Sequence, residues 1–452
     1  MTQQPKQSSI GNPDTESGLM VNGKVLLKSV GCRTNQQEMT ELAFCLAAKG
    51  YEITGETKTA DIIILNSCSV TSCSESKTRR LVHSFANRAP TAKICVTGCL
   101  AQQRREEILS LPNVHWVVGN SHKSRIADIL VSGECGVFIS SVNDRAVMQS
   151  PEPVSSKVWQ GRTRFPLKIQ EGCDFRCSYC IVPSLRGPSR SARTESIENR
   201  FREAVAAGFK EIVITGTHIG QLEEKNASSL SDLLDRLTSL EGDFRIRLSS
   251  LDPRDITGRL LDQVAENPRI CNHLHVSIQS FSPDILKAMD RPYRSVDSLV
   301  QRLGSLRREY VDVGIGGDFI VGFPGETERQ FNQSCEAADM VGFTYGHVFR
   351  YSRRPGTPAA EMDNQVEASV KKERSEILRA QLHNQQKRFI EGLSGAPQTI
   401  IVEHDNPVRG VTSNYVRVEV PRMKAAGNSW QNIAFTGKQN SNGRWEAIPV
   451  GE

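Results

Sequence analysis

The chain has 452 residues, of which 38% are hydrophobic and 24% are charged, and its formal net charge is +5. No apolar run approaches the roughly 20 residues of a membrane-spanning helix, so the composition predicts a globular protein without a membrane anchor. The polar first 22 residues lack an apolar stretch, which predicts a disordered leader, excludes a secretory signal and favours a cytoplasmic protein. The mild positive charge is compatible with an anionic partner but does not require one.

Residues 23–145 alternate short apolar runs with helix-length segments. Apolar runs at 60–68, 92–99 and 114–120 have the length and pattern of buried strands, which predicts a parallel sheet in a small α/β domain. The Ser- and Pro-rich stretch at 146–160 then predicts a linker.

A second unit is expected over residues 161–393, where six strand patterns alternate with helix-length segments. This rhythm predicts a complete or partial (β/α) barrel with its active site at the C-terminal strand ends. The charged stretch at 367–393 has apolar positions at helical spacing and predicts a long surface helix. Short β-patterned runs split by Gly, Asn and Pro predict a small β-barrel over 394–452.

Three cysteines, Cys173, Cys177 and Cys180, follow the first predicted strand of this barrel. A given C-x3-C-x2-C pattern would arise by chance only roughly 0.01 times in such a chain. A structural zinc site needs four ligands, whereas the next histidine is His218 and the next cysteine is Cys271, so zinc is the less favoured interpretation. Three thiolates suit an iron–sulfur cluster with one iron open to a substrate, and a reducing cluster beside a bound sulfonium could start radical chemistry.

The cysteine spacing, with Tyr179 before the last thiol, resembles that of the radical S-adenosylmethionine (SAM) enzymes, which bind a [4Fe–4S] cluster at this motif. The resemblance implies further SAM contacts at the ends of later strands. The residues at these positions are Thr215 and Gly216 in TGTHIG, Ser249 and Ser250 in SSLDP, Ser277 and Gln279 in SIQS, and Asp318, Gly322 and Phe323 in GGDFIVGFPGE. Taken singly, each of them is equally well explained as part of a barrel-end turn or as a polar core residue.

A second set of cysteines, Cys32, Cys68 and Cys99, stands at the ends of predicted strands in the first domain. Because the carboxyl ends of parallel strands lie at one edge of a sheet, these thiols can meet and hold a second cluster. The alternative is that they are small buried apolar residues, as isolated cysteines usually are. That alternative is expected for Cys45, Cys95, Cys135, Cys271 and Cys335, while Cys73 is a possible substitute ligand.

The segments GCRTNQQEMTEL, NSCSVT and TGCLAQQ, the barrel and the β-rich tail together resemble the methylthiotransferases over nearly the whole chain after residue 23. The resemblance implies two [4Fe–4S] clusters and a C-terminal RNA-binding TRAM domain. It implies that the barrel cluster reduces SAM to a 5′-deoxyadenosyl radical that takes hydrogen from an adenine C2. The cluster on the first domain would supply sulfur, and a second SAM would supply the methyl group.

The same resemblance implies partners: adenosine 37 in the anticodon loop of tRNA, a reduced flavodoxin- or ferredoxin-type electron donor, and a sulfur donor. Three substrates occur in the family. The segments TGTHIG, RIRLSSLDP and HLHVSIQSFSPDILKAMDRPY look most like the branch that acts on N6-threonylcarbamoyladenosine in tRNA. N6-isopentenyladenosine in tRNA is the alternative, and an aspartate of a small-subunit ribosomal protein comes third.

RNA contact has separate support from charge and aromatic residues. Three arginines crowd the loop after the cysteine triplet, and residues 371–388 carry six Lys/Arg against two Glu, although such runs are more often solvated faces. The tail could stack or clamp nucleotides as small β-barrels do, but it departs from the TRAM pattern after Pro421. The candidate RNA contacts are Arg186, Arg190, Arg193, Tyr415, Arg417 and Trp430.

Two rival functions are open at this point. One is a corrinoid-type radical SAM methyltransferase, which the first domain disfavours because it has no evident Asp-x-His-x-x-Gly stretch. The other is a zinc-stabilised RNA-binding protein, from which an assay for iron and acid-labile sulfide would distinguish an enzyme.

Overall fold

The computed structural model describes residues 22–144, 163–222, 229–293, 295–421 and 423–450. The expected linker at 146–160, and the expected leader apart from residue 22, lie outside these residues. The predicted fold class is confirmed, because a parallel α/β domain, an α/β barrel and a closed β-barrel follow one another along the chain.

The N-terminal domain is built on six parallel strands in the order β2-β1-β3-β4-β5-β6. Strand β2 lies on one side of β1 and strand β3 on the other, so the direction in which strands are added to the sheet reverses at β1. Ligand sites of open parallel sheets lie at such a reversal, beyond the carboxyl ends of the strands. The strands are β1 Lys24–Ser29, β2 Glu52–Thr54, β3 Ile62–Ser67, β4 Lys93–Gly98, β5 Val114–Val118 and β6 Gly136–Phe138, and the helices are α1 Arg33–Ala48, α2 Ser72–Arg88, α3 Cys99–Gln103, α4 Arg105–Leu109 and α5 Ile126–Ser132.

The central unit is an α/β barrel whose main parallel strands follow one another in chain order from β7 to β15. The sheet order ends at β7 and β15, so the barrel is partial within the described ranges. Its strands are β7 Arg164–Lys168, β8 Gln170–Glu171, β9 Arg190–Ser191, β10 Glu211–Thr215, β11 Arg245–Leu248, β12 Ser250–Leu251, β13 His273–Gln279, β14 Gly314–Val321 and β15 Tyr345–Arg350. Its helices are α6 Val182–Arg186, α7 Thr194–Ala206, α8 Leu230–Thr238, α9 Gly258–Glu266, α10 Pro283–Ala288, α11 Val296–Glu309, α12 Glu328–Val341 and α13 Ala368–Gly392.

The two faces of the barrel strands differ in polarity. On β14, for example, Ile315, Phe319 and Val321 are buried in the apolar core between the strands and the helices. Since successive side chains of a strand point to opposite faces, Asp318 on the same strand faces the lumen. The lumen is therefore polar, while the outer face carries the hydrophobic packing. Phe44 of α1 belongs to the same apolar core, which joins the N-terminal domain to the barrel.

The C-terminal unit is a closed barrel in the order β16-β17-β18-β20-β19. It packs against the N-terminal strand ends of the α/β barrel, where Arg245 and Arg247 flank the fully buried Glu211. Arg245 also donates to the Val411 carbonyl (2.8 Å), and Arg247 to the Thr412 carbonyl (3.0 Å). The strands are β16 Gln398–Asp405, β17 Val408–Thr412, β18 Arg417–Val420, β19 Trp430–Gln439 and β20 Trp445–Pro449.

Part of the positive charge of helix α13 lies inside the protein. Arg374 is 8% exposed and pairs with the Glu326 carboxylate at 2.8 Å, and Arg379 donates to the Val348 carbonyl. The expected cationic face at 371–388 is therefore smaller than its composition indicates. Among the described residues, no helix is long and apolar enough to cross a membrane.

Candidate active site

The structure brings Cys32, Cys68 and Cys99 together at one edge of the N-terminal sheet. They follow β1, β3 and β4, the strands at and beside the topological reversal. Burial raises the pKa of the Cys68 thiol to about 12, and the nearby Cys32 and Cys99 add to this effect. Cys68 and Cys99 are buried, whereas Cys32 is exposed. We call these three residues the first-domain thiol set.

Gly31 permits the close approach of the loops that carry this set. Its φ of +101° is in the region that favours glycine, and a Cβ there would lie 2.8 Å from the Cys68 sulfur. Backbone thus passes directly beside the thiol, as expected around a compact metal site. Val70 N–H also points toward the Cys68 sulfur at 3.5 Å.

The second thiol set, Cys173, Cys177 and Cys180, occupies the loop after β8 and is called the barrel thiol set. The loop is held by hydrogen bonds from Cys173 N–H to the Gly187 carbonyl (3.2 Å) and from Cys180 N–H to the Cys177 carbonyl (2.9 Å). Burial raises the pKa of the Cys180 thiol to about 12, with a further contribution from Cys177 and Cys173. Three thiol donors on one short loop fit the tridentate binding of an iron–sulfur cluster.

Two basic residues that the sequence analysis did not single out lie beside the barrel thiols. Arg291 places Nη1 3.9 Å from the Cys177 sulfur and Nη2 2.7 Å from the Asp252 carboxylate. His218 Nε2 lies 2.9 Å from the Asp255 carboxylate. Although burial opposes it, hydrogen bonding to Asp255 and Cys173 raises the pKa of His218 to about 9. The only sequence signal was that both residues follow barrel strands, near the predicted SAM motifs.

The two thiol sets lie on the two sides of the contact between the domains. Cys99 packs with Ile181 and Leu185, which directly follow the barrel thiol loop. Asn120 joins the two sides, since its amide donates to the Leu185 carbonyl (2.9 Å) and toward the Cys99 sulfur (3.5 Å). At the rim of the barrel, Thr34 of α1 lies 3.5 Å from the Gly216 carbonyl.

A buried ionic network holds this contact and corrects one prediction. Arg186, expected to contact RNA, is 3% exposed and donates to the carboxylates of Glu38 (2.7 Å) and Glu171 (3.1 Å). Lys123 reaches the same Glu38 at 2.6 Å. Burial would raise the pKa of Glu38, but Arg186 and Lys123 hold it well below its usual range. Arg186 therefore connects the domains and is not available to a phosphate.

Two aromatic candidates for RNA contact also prove to be interface residues. Tyr415 stacks on His273 in the α/β barrel with 4.7 Å between ring centroids. The indole N–H of Trp430 donates to Asp243 at 2.8 Å, and Arg245 lies over its ring. This packing covers part of both residues, which are half-buried, so RNA contact through what remains exposed stays a prediction.

The remaining arginine candidates are divided. Arg190 is largely covered and lies 3.6 Å from the Glu171 carboxylate. Arg193, at the start of α7, and Arg417, on β18, are exposed. Only these last two present an exposed cation, so RNA contact stays a prediction for them.

The predicted SAM residues lie along the C-terminal ends of the barrel strands. Ser249 interrupts the strand between β11 and β12, and its hydroxyl is buried without a hydrogen-bond partner among the described residues. Such an orphaned group fits a ligand-binding edge. Gly216 has no room for a side chain beside the Gln170 carbonyl, and the half-buried Ser250 follows at the start of β12. Thr215 is buried at the end of β10, and the Ser277 carbonyl accepts from Arg291.

The other predicted SAM residues are constrained by protein contacts. Gln279 and Gly322 have positive φ angles of 71° and 69° at the ends of β13 and β14. Phe323 is fully buried, with its ring 5.5 Å from that of Tyr351, so its side chain is not available to a ligand. Tyr179 packs against the same apolar cluster. Oδ1 of Asp318 lies 3.0 Å from His275 and from His347, so two imidazoles flank this atom.

The cysteines outside both thiol sets follow their expected burial with one exception. Cys95 and Cys271 are buried, and Cys45 and Cys335 are half-buried. Cys135 is exposed, so the expectation that it lies in the core was wrong. Its position directly before the short edge strand β6 leaves the side chain in solvent. Cys73 is exposed on α2.

Comparisons with known proteins agree with this architecture. A family model described as "Uncharacterized protein family UPF0004" matches residues 24–119, and the radical SAM superfamily model matches residues 167–338. The fold is similar to that of the radical S-adenosylmethionine methyltransferase TsrM from Kitasatospora setae, with a TM-score of 0.55 and 14% identity over 75% of each chain. At that identity, the likeness concerns the fold alone.

Curated relatives are similar over most of the chain. It is 37% identical to a threonylcarbamoyladenosine tRNA methylthiotransferase MtaB of Thermotoga maritima, over 86% of this chain and 89% of the relative. It is 34% identical to the protein of the same name in Bacillus subtilis (87% and 89% covered). It is 33% identical to a tRNA-2-methylthio-N(6)-dimethylallyladenosine synthase of Bartonella bacilliformis (84% and 86% covered). The chain thus belongs to the radical SAM methylthiotransferases and is an enzyme of that family.

Proposed function

We propose that the protein methylthiolates tRNA at C2 of N6-threonylcarbamoyladenosine 37. Family membership excludes the corrinoid-type and zinc-stabilised alternatives, and relatives named for tRNA modification support tRNA as the substrate class. Two of the reported relatives bear the threonylcarbamoyladenosine name, which favours this nucleoside over isopentenyladenosine. An aspartate of a small ribosomal protein is the third candidate.

One observation carries the proposal: two sets of three thiols lie on the two sides of a single domain contact. Cys99 of the first-domain set packs on the segment that directly follows Cys180 of the barrel set. A reaction that removes hydrogen from a carbon and then adds sulfur to it needs both functions near that carbon. Separate sites at one contact provide this arrangement, whereas a single cluster would have to perform both steps.

The residues present fit two [4Fe–4S] clusters. Each set offers three thiol donors, the number that holds an iron–sulfur cluster with one iron left open. Bound clusters of this kind supply an iron open to SAM, low-potential electrons and, at the first-domain set, sulfur. The electrons and the sulfur come, in this proposal, from a flavodoxin- or ferredoxin-type donor and a separate sulfur donor.

The protein side chains around the thiols provide charge and exclude water. Arg291 and the protonated His218 stand beside the barrel set, where positive charge stabilises thiolates. The buried Arg186 and Lys123 do the same near Cys99. Cys68, Cys99 and Cys177 are buried, which limits the access of water to them, whereas Cys32 is exposed.

The test is nucleoside mass spectrometry of tRNA from a host without its own methylthiotransferases, with and without this gene. The proposal expects 2-methylthio-threonylcarbamoyladenosine. The isopentenyl product instead would refute the proposed nucleoside and keep the reaction. Unchanged tRNA from cells containing the iron-loaded protein would refute tRNA as the substrate.

Two cysteine variants separate the roles of the thiol sets. Cys177→Ala is expected to abolish reductive cleavage of SAM, whereas Cys68→Ala should keep SAM cleavage and lose methylthiolation. The exposed Cys135→Ala serves as the matched control and should retain both activities. Equal SAM cleavage by wild type and Cys177→Ala would contradict the assignment of the barrel set.

A further inference from the structure

Three potential metal ligands outside both thiol sets meet on neighbouring strands of the α/β barrel. His275 lies on β13, Asp318 on β14 and His347 on β15. Asp318 and His347 are register partners, and His275 pairs with the residue two positions before Asp318. One nitrogen or oxygen atom from each side chain lies within 4.8 Å of the others, and the aspartate oxygen is 3.0 Å from both imidazoles.

The triad lies in the polar lumen of the barrel. The alternate residues of these strands, including Leu274, Phe319 and Val348, are buried in the outer apolar core, so the triad faces inward. The His275 side chain is 5% exposed, whereas that of His347 is 53% exposed. One side of the group is therefore fixed in the barrel wall, and the other is open to water or to a molecule in the lumen.

A neighbouring phenol orients the buried ligand. The Tyr345 hydroxyl lies 2.8 Å from His275 Nδ1, on the side of the ring away from Asp318, and 2.8 Å from His273 Nε2. Metal-binding histidines commonly use their second ring nitrogen for such a hydrogen bond, which fixes the tautomer and the ring. Gly316 makes this possible, because a Cβ at that position would overlap the Tyr345 ring.

The donor types of the triad also suit a transition-metal ion. Two imidazoles and one carboxylate are ligands preferred by Zn²⁺ and Fe²⁺, whereas Mg²⁺ and Ca²⁺ prefer oxygen ligands alone.

We propose that His275, Asp318 and His347 bind a divalent transition-metal ion, zinc or ferrous iron, in the barrel lumen. The site is distinct from both thiol sets and does not depend on which nucleoside the enzyme modifies. Three protein ligands leave a position for water or for an oxygen atom of a bound molecule, as in open zinc sites. In the absence of metal, the same groups would form only a hydrogen-bonded chain.

The test uses tag-free enzyme whose thiol sets have been loaded with iron and sulfide under anaerobic conditions, so that zinc cannot occupy them. The protein is incubated with Zn²⁺, which binds such ligands more tightly than Fe²⁺ does, and is then passed through a desalting column. Elemental analysis should find about one zinc per chain in addition to the iron. Zinc-edge X-ray absorption should show nitrogen and oxygen neighbours at about 2.0–2.2 Å and no sulfur at about 2.3 Å.

Variants then assign the zinc to the triad. Asp318→Asn keeps the shape of the side chain but loses its charge, and His347→Ala removes a ligand, so both should lose the bound zinc. Tyr345→Phe keeps the ring and should weaken zinc binding by about 10–100-fold. The exposed His404→Ala is the control and should bind zinc as wild type does. Iron content should be unchanged throughout, and it verifies that each variant is folded.

Three results would overturn the proposal: no retained zinc in the iron-loaded wild type, a sulfur shell around the zinc, or equal zinc binding by wild type and Asp318→Asn. None of them would affect the assignment of the thiol sets, which rests on iron content and SAM cleavage. The metal site and the proposed function can therefore fail separately.

Discussion

Replacing Arg186 by Met tests whether this residue connects the domains or contacts RNA. The guanidinium is buried and donates to Glu38, Glu171 and the Asn35 side-chain oxygen at 2.7–3.1 Å. Methionine has a similar length but no charge, so the substitution leaves buried carboxylates with fewer partners. Lys123 still reaches Glu38, so the cost should be near the lower end of the range for a broken buried ion pair, about 3 kcal/mol.

For a domain of 150–250 residues, about 3 kcal/mol corresponds to a fall of about 6–12 °C in the unfolding midpoint. The affinity for tRNA should keep the salt dependence of the wild type, because no phosphate contact is lost. The assay is thermal unfolding of the iron-loaded protein, together with tRNA binding at several salt concentrations. Double substitution of Arg186 and Glu38 should cost less than the sum of the single substitutions.

The matched control is Arg193→Met, at an exposed arginine seven residues along the chain. It should change stability by less than about 0.5 kcal/mol. If Arg193 contacts a phosphate, the slope of log affinity against log salt should fall by about 0.7–0.9. The opposite pattern would refute the reasoning: a reduced salt slope with unchanged stability for Arg186→Met.

Two further substitutions test the interfaces that position the thiol sets and the C-terminal barrel. Glu211→Gln should destabilise the protein by about 3–5 kcal/mol, because it leaves Arg245 and Arg247 buried without their carboxylate. Glu403→Gln, at the partly exposed pair with Arg164, should cost at most about 1 kcal/mol. Equal unfolding midpoints for the two variants would contradict this expectation. Burial would raise the pKa of Glu211, but Arg247 and Arg245 hold it well below its usual range. The ionised Glu211 therefore stabilises the folded protein fully above the unfolded pKa of about 4.3, and this contribution is lost as the pH falls toward the folded pKa. Glu211→Gln should accordingly make the stability of the protein depend less on pH in the acid range. Gly31→Ala should lower the iron content from about eight to about four atoms per chain, because the new Cβ would collide with Cys68. Gly133→Ala, also at a positive φ but in open space, should keep the full iron content. A normal iron content in Gly31→Ala would contradict the prediction and show that the loop can move to accept the Cβ.

Most of the architecture could be predicted because its signals are local. Apolar runs separated by helix-length segments indicated the two α/β units, and the alternating pattern of the tail indicated a β-barrel. The barrel cysteines are neighbours in the chain, so their spacing alone placed the three donors in one loop. Predicting the first-domain set required one further argument, namely that the carboxyl ends of parallel strands lie at one edge of a sheet. The structure places Cys32, Cys68 and Cys99 at such an edge.

Polar and aromatic contacts between residues distant in the chain could not be predicted. Arg186 meets a carboxylate 148 positions away, and Trp430 meets one 187 positions away. Cationic and aromatic residues occur both at domain interfaces and on RNA-binding surfaces, so the residue types alone could not distinguish RNA contact from domain packing. The two histidines that approach Asp318 escaped notice for the same reason, since the three residues lie on three different strands.

The order of the three units and the two groups of cysteines followed from the amino-acid sequence, because periodicity and spacing are properties of neighbouring residues. The likeness to the methylthiotransferases came from whole motifs that resemble those of the family. The folded structure was needed to show that the thiol sets lie on the two sides of one domain contact, that Arg186 is buried at this contact, and that His275, Asp318 and His347 meet in the lumen. The physical reason is that burial and pairing of a polar group depend on which distant segments pack around it, and packing is set by the whole chain.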